Sequence, residues 1–109
     1  MTSSTAAVLA RVRPAGHVYT EADWNDVDEL RTRGLWYAIG KTRQEQAAWA
    51  FVDAAKAAGK PCPKLICMNP CMIGGPTLQP ELNASSENVL YLLDGTRKRI
   101  PNGPIPWVE

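Results

Sequence analysis

Residues 35 to 68 read "LWYAIGKTRQEQAAWAFVDAAKAAGKPCPKLICM", and their hydrophobic pattern decides the predicted fold. From residue 42 to residue 58, apolar residues recur at helical spacing, and Thr42 with Glu45 matches the Ser/Thr-x-x-Glu pattern of a helix start. The apolar runs on either side, residues 35 to 39 and 63 to 68, have the length and composition of strands. The stretch therefore predicts a strand–helix–strand unit with two parallel strands.

A second helix and further strands are predicted outside this unit. Residues 7 to 14 alternate in polarity and predict a strand. Residues 20 to 33 have an N-capping residue at Thr20, apolar residues at helical spacing and a glycine after the end, which predicts a helix. Asp94-Gly95 separates two strand-like runs within residues 88 to 101, a pattern typical of a β-hairpin.

Together these elements predict a single α+β domain over residues 1 to 109. Its mixed sheet would have four to five strands, containing one βαβ unit and a C-terminal β-hairpin, with two helices packed on one face. Three segments lie outside the regular elements. We expect residues 1 to 6 to be a flexible tail, residues 69 to 88 a long irregular loop, and residues 101 to 109 an extended C-terminal tail.

Composition excludes several classes of protein. Hydrophobic residues make up 45% of the chain and charged residues 21%, which is typical of a globular domain. The formal net charge of +1 argues against a protein that coats DNA. No run of apolar residues is long enough for a membrane span, so no membrane contact is expected. Three cysteines without an export signal predict reduced thiols and a cytoplasmic location.

The cysteines do not have the spacing of a metal site. Cys62, Cys67 and Cys71 are separated by four and three residues, whereas zinc sites pair cysteines across tight turns. We therefore predict no metal and no cofactor, and interpret Cys62 and Cys67 as small buried side chains. Cys71 lies in the predicted irregular loop and is a candidate contact residue, with His17, the single histidine, as a base that could act on it.

Gly40-Lys41-Thr42 stands where the end of a phosphate-binding P-loop would stand. That loop requires an earlier glycine where this chain has Leu35, so nucleotide hydrolysis is not predicted. A weaker expectation remains. Lys41 and Arg43, at the predicted start of the helix, could hold an anion.

Two further surfaces are candidates for contacts with other molecules. Arg97, Lys98 and Arg99 follow the predicted hairpin turn and could bind nucleic acid, although such charges also protect edge strands from pairing. Trp107, one of four tryptophans, lies in the proline-rich C-terminal segment and is a candidate partner contact.

No set of residues matches a catalytic template, so no catalytic residue is predicted and enzymatic activity is left open. The leading hypothesis is a small non-enzymatic protein-binding or assembly module of the cytoplasm, which contacts a protein partner or self-associates. One alternative is a small enzyme or ligand-binding domain, with a pocket between the 69–88 loop and the sheet that uses Cys71, His17 or Lys41. Another is weak nucleic-acid binding through residues 96 to 99.

Overall fold

The computed structural model describes residues 1 to 99 and 106 to 108, which divide after residue 70 into two compact units. The first unit contains a short 3-10 turn, Thr5–Ala7, and helices α1, Val27–Thr32, and α2, Trp36–Ala57. The second contains strand β1, Met72–Ile73, helix α3, Ala84–Leu93, and strand β2, Trp107–Val108. No helix among the described residues is long and apolar enough to cross a membrane.

Helix α2 extends over 22 residues and organises the first unit. Its inner face carries Ala38, Thr42, Glu45 and Val52, which are buried and recur at helical spacing. The predicted strand at residues 35 to 39 is therefore wrong, because α2 begins at Trp36 and its buried face includes Ala38. Thr42 and Glu45 are not an N-terminal capping pair either, since both lie inside the helix with buried side chains.

Helix α1 begins later than predicted. The side chain of Asp26 accepts hydrogen bonds from the backbone N–H groups of Asp28, at 2.9 Å, and Glu29, at 3.1 Å, and caps the helix there. Thr20, the predicted cap, instead donates its backbone N–H to the Asp23 carboxylate at 2.9 Å and takes part in a turn. The predicted helix from residue 20 is wrong because two capping patterns follow one another and the second one starts the helix.

A hydrogen-bond network around Asn25 joins the N-terminal segment to α2. The Asn25 side-chain amide donates to the carbonyl of Ala6 at 2.7 Å and to Thr42 Oγ1 at 2.9 Å. Its carbonyl oxygen accepts from the backbone N–H of Arg11 at 2.9 Å. The predicted strand over residues 7 to 14 is wrong. Ala7 ends the 3-10 turn and is fully buried against α2.

Residues 1 to 5, which belong to the predicted flexible tail of residues 1 to 6, run beside residues 66 to 70. Met68 donates its N–H to the Met1 carbonyl at 3.0 Å, and Ser3 donates to the Met68 carbonyl at 2.7 Å. Thr5 donates to the carbonyl of Pro70 at 3.0 Å, and Thr2 and Met68 form a parallel bridge. Residues 66 to 70 therefore pair with the N-terminal segment, through a single bridge at Met68 and not through a strand over residues 63 to 68. The predicted βαβ unit is wrong because its first strand is part of α2.

The second unit has two parallel strands, in which Met72 pairs with Trp107 and Ile73 with Val108. In the described residues this is the sole sheet, so the predicted mixed sheet of four to five strands is wrong. The predicted hairpin is also wrong, because residues 88 to 93 form the second half of α3. Gly95, at φ +77°, follows the helix end at Asp94. An Asp-Gly pair supplies this positive φ equally to a hairpin turn and to a helix C-terminus.

Parts of the predicted loop at residues 69 to 88 and of the predicted C-terminal tail form regular secondary structure. The 69–88 segment includes β1 and the first turns of α3, whose N-cap Asn83 accepts from the Ser86 N–H at 2.9 Å. Residues 106 to 108 of the predicted C-terminal tail include β2, and residues 100 to 105 and 109 lie outside the described residues.

Candidate active site

The first turns of α2 bring together a phenol and an ammonium group. Tyr37 and Lys41 are separated by four residues, so their side chains lie on the same side of the helix. The Lys41 Nζ atom is 6.0 Å from the centre of the Tyr37 ring. Tyr37 is 67% exposed, so a second molecule can reach this residue.

An open apolar cleft of about 350 Å³ adjoins Tyr37. Its lining residues are Ala10, Gly34, Leu35, Trp36, Tyr37 and Ala38. Trp36 is 66% exposed although its indole is large and mostly apolar. A cleft of this composition can hold a flat apolar group next to Tyr37.

The chemistry available to this pair is proton donation. A tyrosine hydroxyl can act as a general acid toward an oxygen on which negative charge develops. A neighbouring ammonium group stabilises the negative charge that remains on a donor oxygen afterwards. The arrangement therefore suits a reaction in which a substrate oxygen takes up a proton.

Tyr37 was not among the residues predicted from the sequence. The signal that would have found it is a tyrosine four residues before a lysine, which places the two together only on a helix. Because residues 35 to 39 were interpreted as a strand, Tyr37 and Lys41 were assigned to different elements. Lys41 alone was selected, as an anion contact.

His17 has a defined partner in the first unit. Its Nε2 atom lies 3.0 Å from Asp23 Oδ1, and Arg13 Nη2 lies 2.8 Å from the same oxygen. The backbone N–H of Thr20 has the largest effect on Asp23, and with His17 it holds the pKa of that carboxyl below its ordinary value, against the opposing effect of burial. Cys71 belongs to the second unit, where it is half-buried and free, so its pairing with His17 stays a prediction.

The other predicted contact residues occupy separate positions. Arg43 is exposed on α2, which begins at Trp36, so it lies well inside the helix and its anion contact stays a prediction. Trp107 lies in β2 with its indole against Gly74. The basic run after α3 is exposed, and its nucleic-acid contact also stays a prediction; it comprises Arg97, Lys98 and Arg99. Within the described part of the chain, no cluster of three or more potential metal ligands is present.

The chain is similar in sequence to known reductases. The chain matches no protein-family model. Along 100% of its length it is 36% identical, over 111 residues, to cinnamoyl-CoA reductase CAD2 of Medicago truncatula. Also along 100% of its length it is 39% identical, over 110 residues, to cinnamoyl-CoA reductase 1 of Arabidopsis thaliana. These relatives are reductases.

A further relative has a different named substrate. Tetraketide alpha-pyrone reductase 1 of Arabidopsis thaliana is 33% identical over 79 residues, which is 72% of this chain and 22% of that protein. The two cinnamoyl-CoA reductases are covered to 32% and 30% of their length. The chain thus spans about a third of the length of these two curated relatives.

This similarity overturns the leading hypothesis from the sequence. A non-enzymatic protein-binding or assembly module is contradicted by matches to reductases along the whole chain. The alternative, an enzyme or ligand-binding domain, agrees better with these matches. Of the three residues named in that alternative, the structure places Lys41 beside a potential proton donor.

Proposed function

We propose that this chain contributes the proton-donating part of a reductase that acts on the carbonyl group of an aryl-substituted acyl compound. The observation that carries the proposal is the pairing of Tyr37 with Lys41 in a chain that aligns along its whole length with cinnamoyl-CoA reductases. The activity and substrate of the complete protein are part of this proposal, since the chain spans only about a third of those relatives.

The proposed reaction requires one proton from the protein. A hydride adds to the carbonyl carbon and converts the carbonyl oxygen into a developing alkoxide. Tyr37 transfers its hydroxyl proton to that oxygen, and the Lys41 ammonium stabilises the phenolate that is left. With a thioester such as cinnamoyl-CoA, the protonated adduct is a hemithioacetal, whose C–S bond then breaks to release the thiol and leave an aldehyde. The hydride comes from a separate donor; reduced nicotinamides and flavins are the biological donors of this class.

The apolar cleft supports an aryl substrate. Trp36 offers an exposed ring next to Tyr37, and aromatic pairs stabilise one another beyond the effect of area alone. Trp36 and Tyr37 line the same cleft, so an aryl group on Trp36 would lie near Tyr37. We further propose that the reaction takes place in the cytoplasm, which agrees with three free cysteines.

The test is an assay of the full-length protein with cinnamoyl-CoA and a reduced nicotinamide as hydride donor. Loss of nicotinamide absorbance reports turnover. Tyr37→Phe removes the proton donor and is expected to lower kcat by about 10²- to 10⁴-fold. Tyr91→Phe, in α3, is the matched control and should retain activity. Turnover that is unchanged in Tyr37→Phe would refute the assignment of the proton donor.

A further inference from the structure

A second cleft, of about 300 Å³, lies in the first unit and does not include Tyr37 or Lys41. Three aromatic residues and a buried acid contribute to its walls. Its walls include Tyr19, Trp24, Glu45, Trp49, Cys67 and Asn69. None of them has a role in the proposed reduction.

Glu45 is a carboxylate held in place without a positive partner. Its residue surface is 6% exposed, and its Oε2 atom accepts a hydrogen bond from Asn69 Nδ2 at 2.9 Å. Asn69 is itself fixed, because Nδ2 also donates to the Ser4 carbonyl at 3.1 Å. Among the described residues, no basic side chain forms an ion pair with Glu45. A buried carboxylate of this kind is stabilised when a cation binds next to it.

Cys67, which also lines the cleft, leaves the negative charge of Glu45 uncompensated. Burial, followed by the negative charge of Glu45, raises the pKa of the Cys67 thiol. The thiol is therefore kept neutral beside the carboxylate, and it neither cancels the charge of Glu45 nor adds to it.

The remaining walls favour a cation over an anion. Tyr19, Trp24 and Trp49 line the cleft, and the faces of aromatic rings attract cations. The Asp23 carboxylate is already paired, with Arg13 at 2.8 Å. The described lining contains no lysine, arginine or histidine that would attract an anion.

We propose that this cleft binds a small organic cation with an alkylated ammonium group. Glu45 pairs with the positive charge, while Trp24 and Trp49 contact the alkyl substituents. A cleft of about 300 Å³ is of a size that holds a molecule of this kind. The proposal is independent of the reductase activity, because the two clefts share no lining residue.

The experiment compares choline with its uncharged isostere, in which a tert-butyl group replaces the trimethylammonium group. Binding to the full-length protein is measured by isothermal titration, and the indole N–H signals of Trp24 and Trp49 are followed by NMR. We expect saturable binding of choline that moves both signals, and about tenfold weaker binding of the isostere.

Variants locate the site. Glu45→Gln preserves the size of the side chain and an acceptor for Asn69, and is expected to weaken choline binding about tenfold. Glu87→Gln, in α3, changes the net charge equally and should bind choline as the unaltered protein does. Equal affinity for choline and its isostere, or no saturable binding of choline, would overturn the proposal. If Glu45→Gln does not fold, the comparison of choline with its isostere on the unaltered protein still tests whether the cleft prefers a cation.

Discussion

The Nζ atom of Lys41 lies 6.0 Å from the centre of the Tyr37 ring, one helical turn further along α2. We expect Lys41→Met to lower the reductase kcat by roughly tenfold to a hundredfold, because the charge that stabilises the Tyr37 phenolate is lost. Lys41→Arg preserves the charge and should therefore retain part of the rate. If Lys41 had only a structural role, the rate would not depend on the charge of its side chain. Lys56→Met, near the end of the same helix, is the control. The same steady-state assay on all three variants checks the prediction, and identical rates for Lys41→Met and Lys56→Met would contradict it.

The Thr42 hydroxyl connects three segments of the first unit. It accepts from Asn25 Nδ2 at 2.9 Å, and its single proton faces the carbonyl oxygens of Ala38, at 2.8 Å, and Ala7, at 3.1 Å. Thr42→Val preserves the shape but removes these bonds, so we expect the free energy of unfolding to fall by about 1–3 kcal/mol.

Chemical denaturation measures this loss. Thr32→Val is the matched control, because the Thr32 hydroxyl is exposed and bonds within its own helix to the carbonyl of Glu29. The control should change stability by no more than about 0.5 kcal/mol. A similar change in both variants would show that the Thr42 hydroxyl has no special role.

Asp23 should make the stability of the first unit depend on pH in acid. The Thr20 N–H, first, and His17 hold the pKa of Asp23 below 3.8, its ordinary value. The carboxylate therefore stabilises the folded state fully above pH 3.8, and this contribution is lost as the pH falls through the folded-state pKa. Asp23→Asn should be less stable than the unaltered protein at neutral pH, and the difference should shrink in that acid range. Denaturation at several pH values tests this, with neutral pH as the reference; a constant difference would refute it.

Cys67 should react slowly with alkylating agents. Burial and the neighbouring Glu45 raise the pKa of its thiol, and the thiolate is the reactive form. At neutral pH we expect iodoacetamide to modify Cys67 more slowly than an unstructured cysteine peptide, and Glu45→Gln to increase its rate. Mass spectrometry of timed samples gives the rates. Cys62, half-buried in the same unit, is the internal control for general loosening of the variant. The prediction is wrong if Glu45→Gln leaves the Cys67 rate unchanged.

Gly40 and Gly74 should respond to alanine in opposite ways. A Cβ atom at Gly40 meets no other group, so Gly40→Ala is expected to stabilise α2 by about 0.5–1 kcal/mol. A Cβ atom at Gly74 would overlap the Trp107 indole, so Gly74→Ala should weaken the pairing of β1 with β2.

Hydrogen exchange checks the second unit most directly. The N–H groups of Met72 and residue 74 donate to the carbonyls of Pro106, at 3.2 Å, and Val108, at 2.9 Å. Both should exchange faster in Gly74→Ala, whereas Gly40→Ala serves as the control. Unchanged exchange at these two positions would contradict the prediction.

Local signals in the sequence predicted the ends of helices better than their beginnings. The end of α2 lies at Ala57, with Ala58 as its cap, which agrees with the predicted helical pattern up to residue 58. The start of the same helix was misplaced, because Gly40 and the aromatic run before it are typical of a strand and turn. A glycine costs a helix only about 1 kcal/mol, which packing of the inner face offsets.

The candidate sites differ in how far the sequence could reveal them. Tyr37 and Lys41 are four residues apart, so a correct helix assignment is enough to pair them. Glu45, Asn69 and Cys67 come together from segments more than 20 residues apart, and no periodicity indicates that contact. Only the packing of residues 66 to 70 beside the N-terminal segment brings them to α2.

By itself, then, the sequence determined that residues 42 to 57 are helical and where α1 and α2 end, because these features depend on neighbours within one or two helical turns. The tertiary structure decided that residues 35 to 39 and 88 to 93 are helical and which segment pairs with residues 66 to 70. It also decided that Glu45 is a buried carboxylate in a cleft. Short apolar runs satisfy a strand or a helix equally well, and the choice is made by the surface against which they pack.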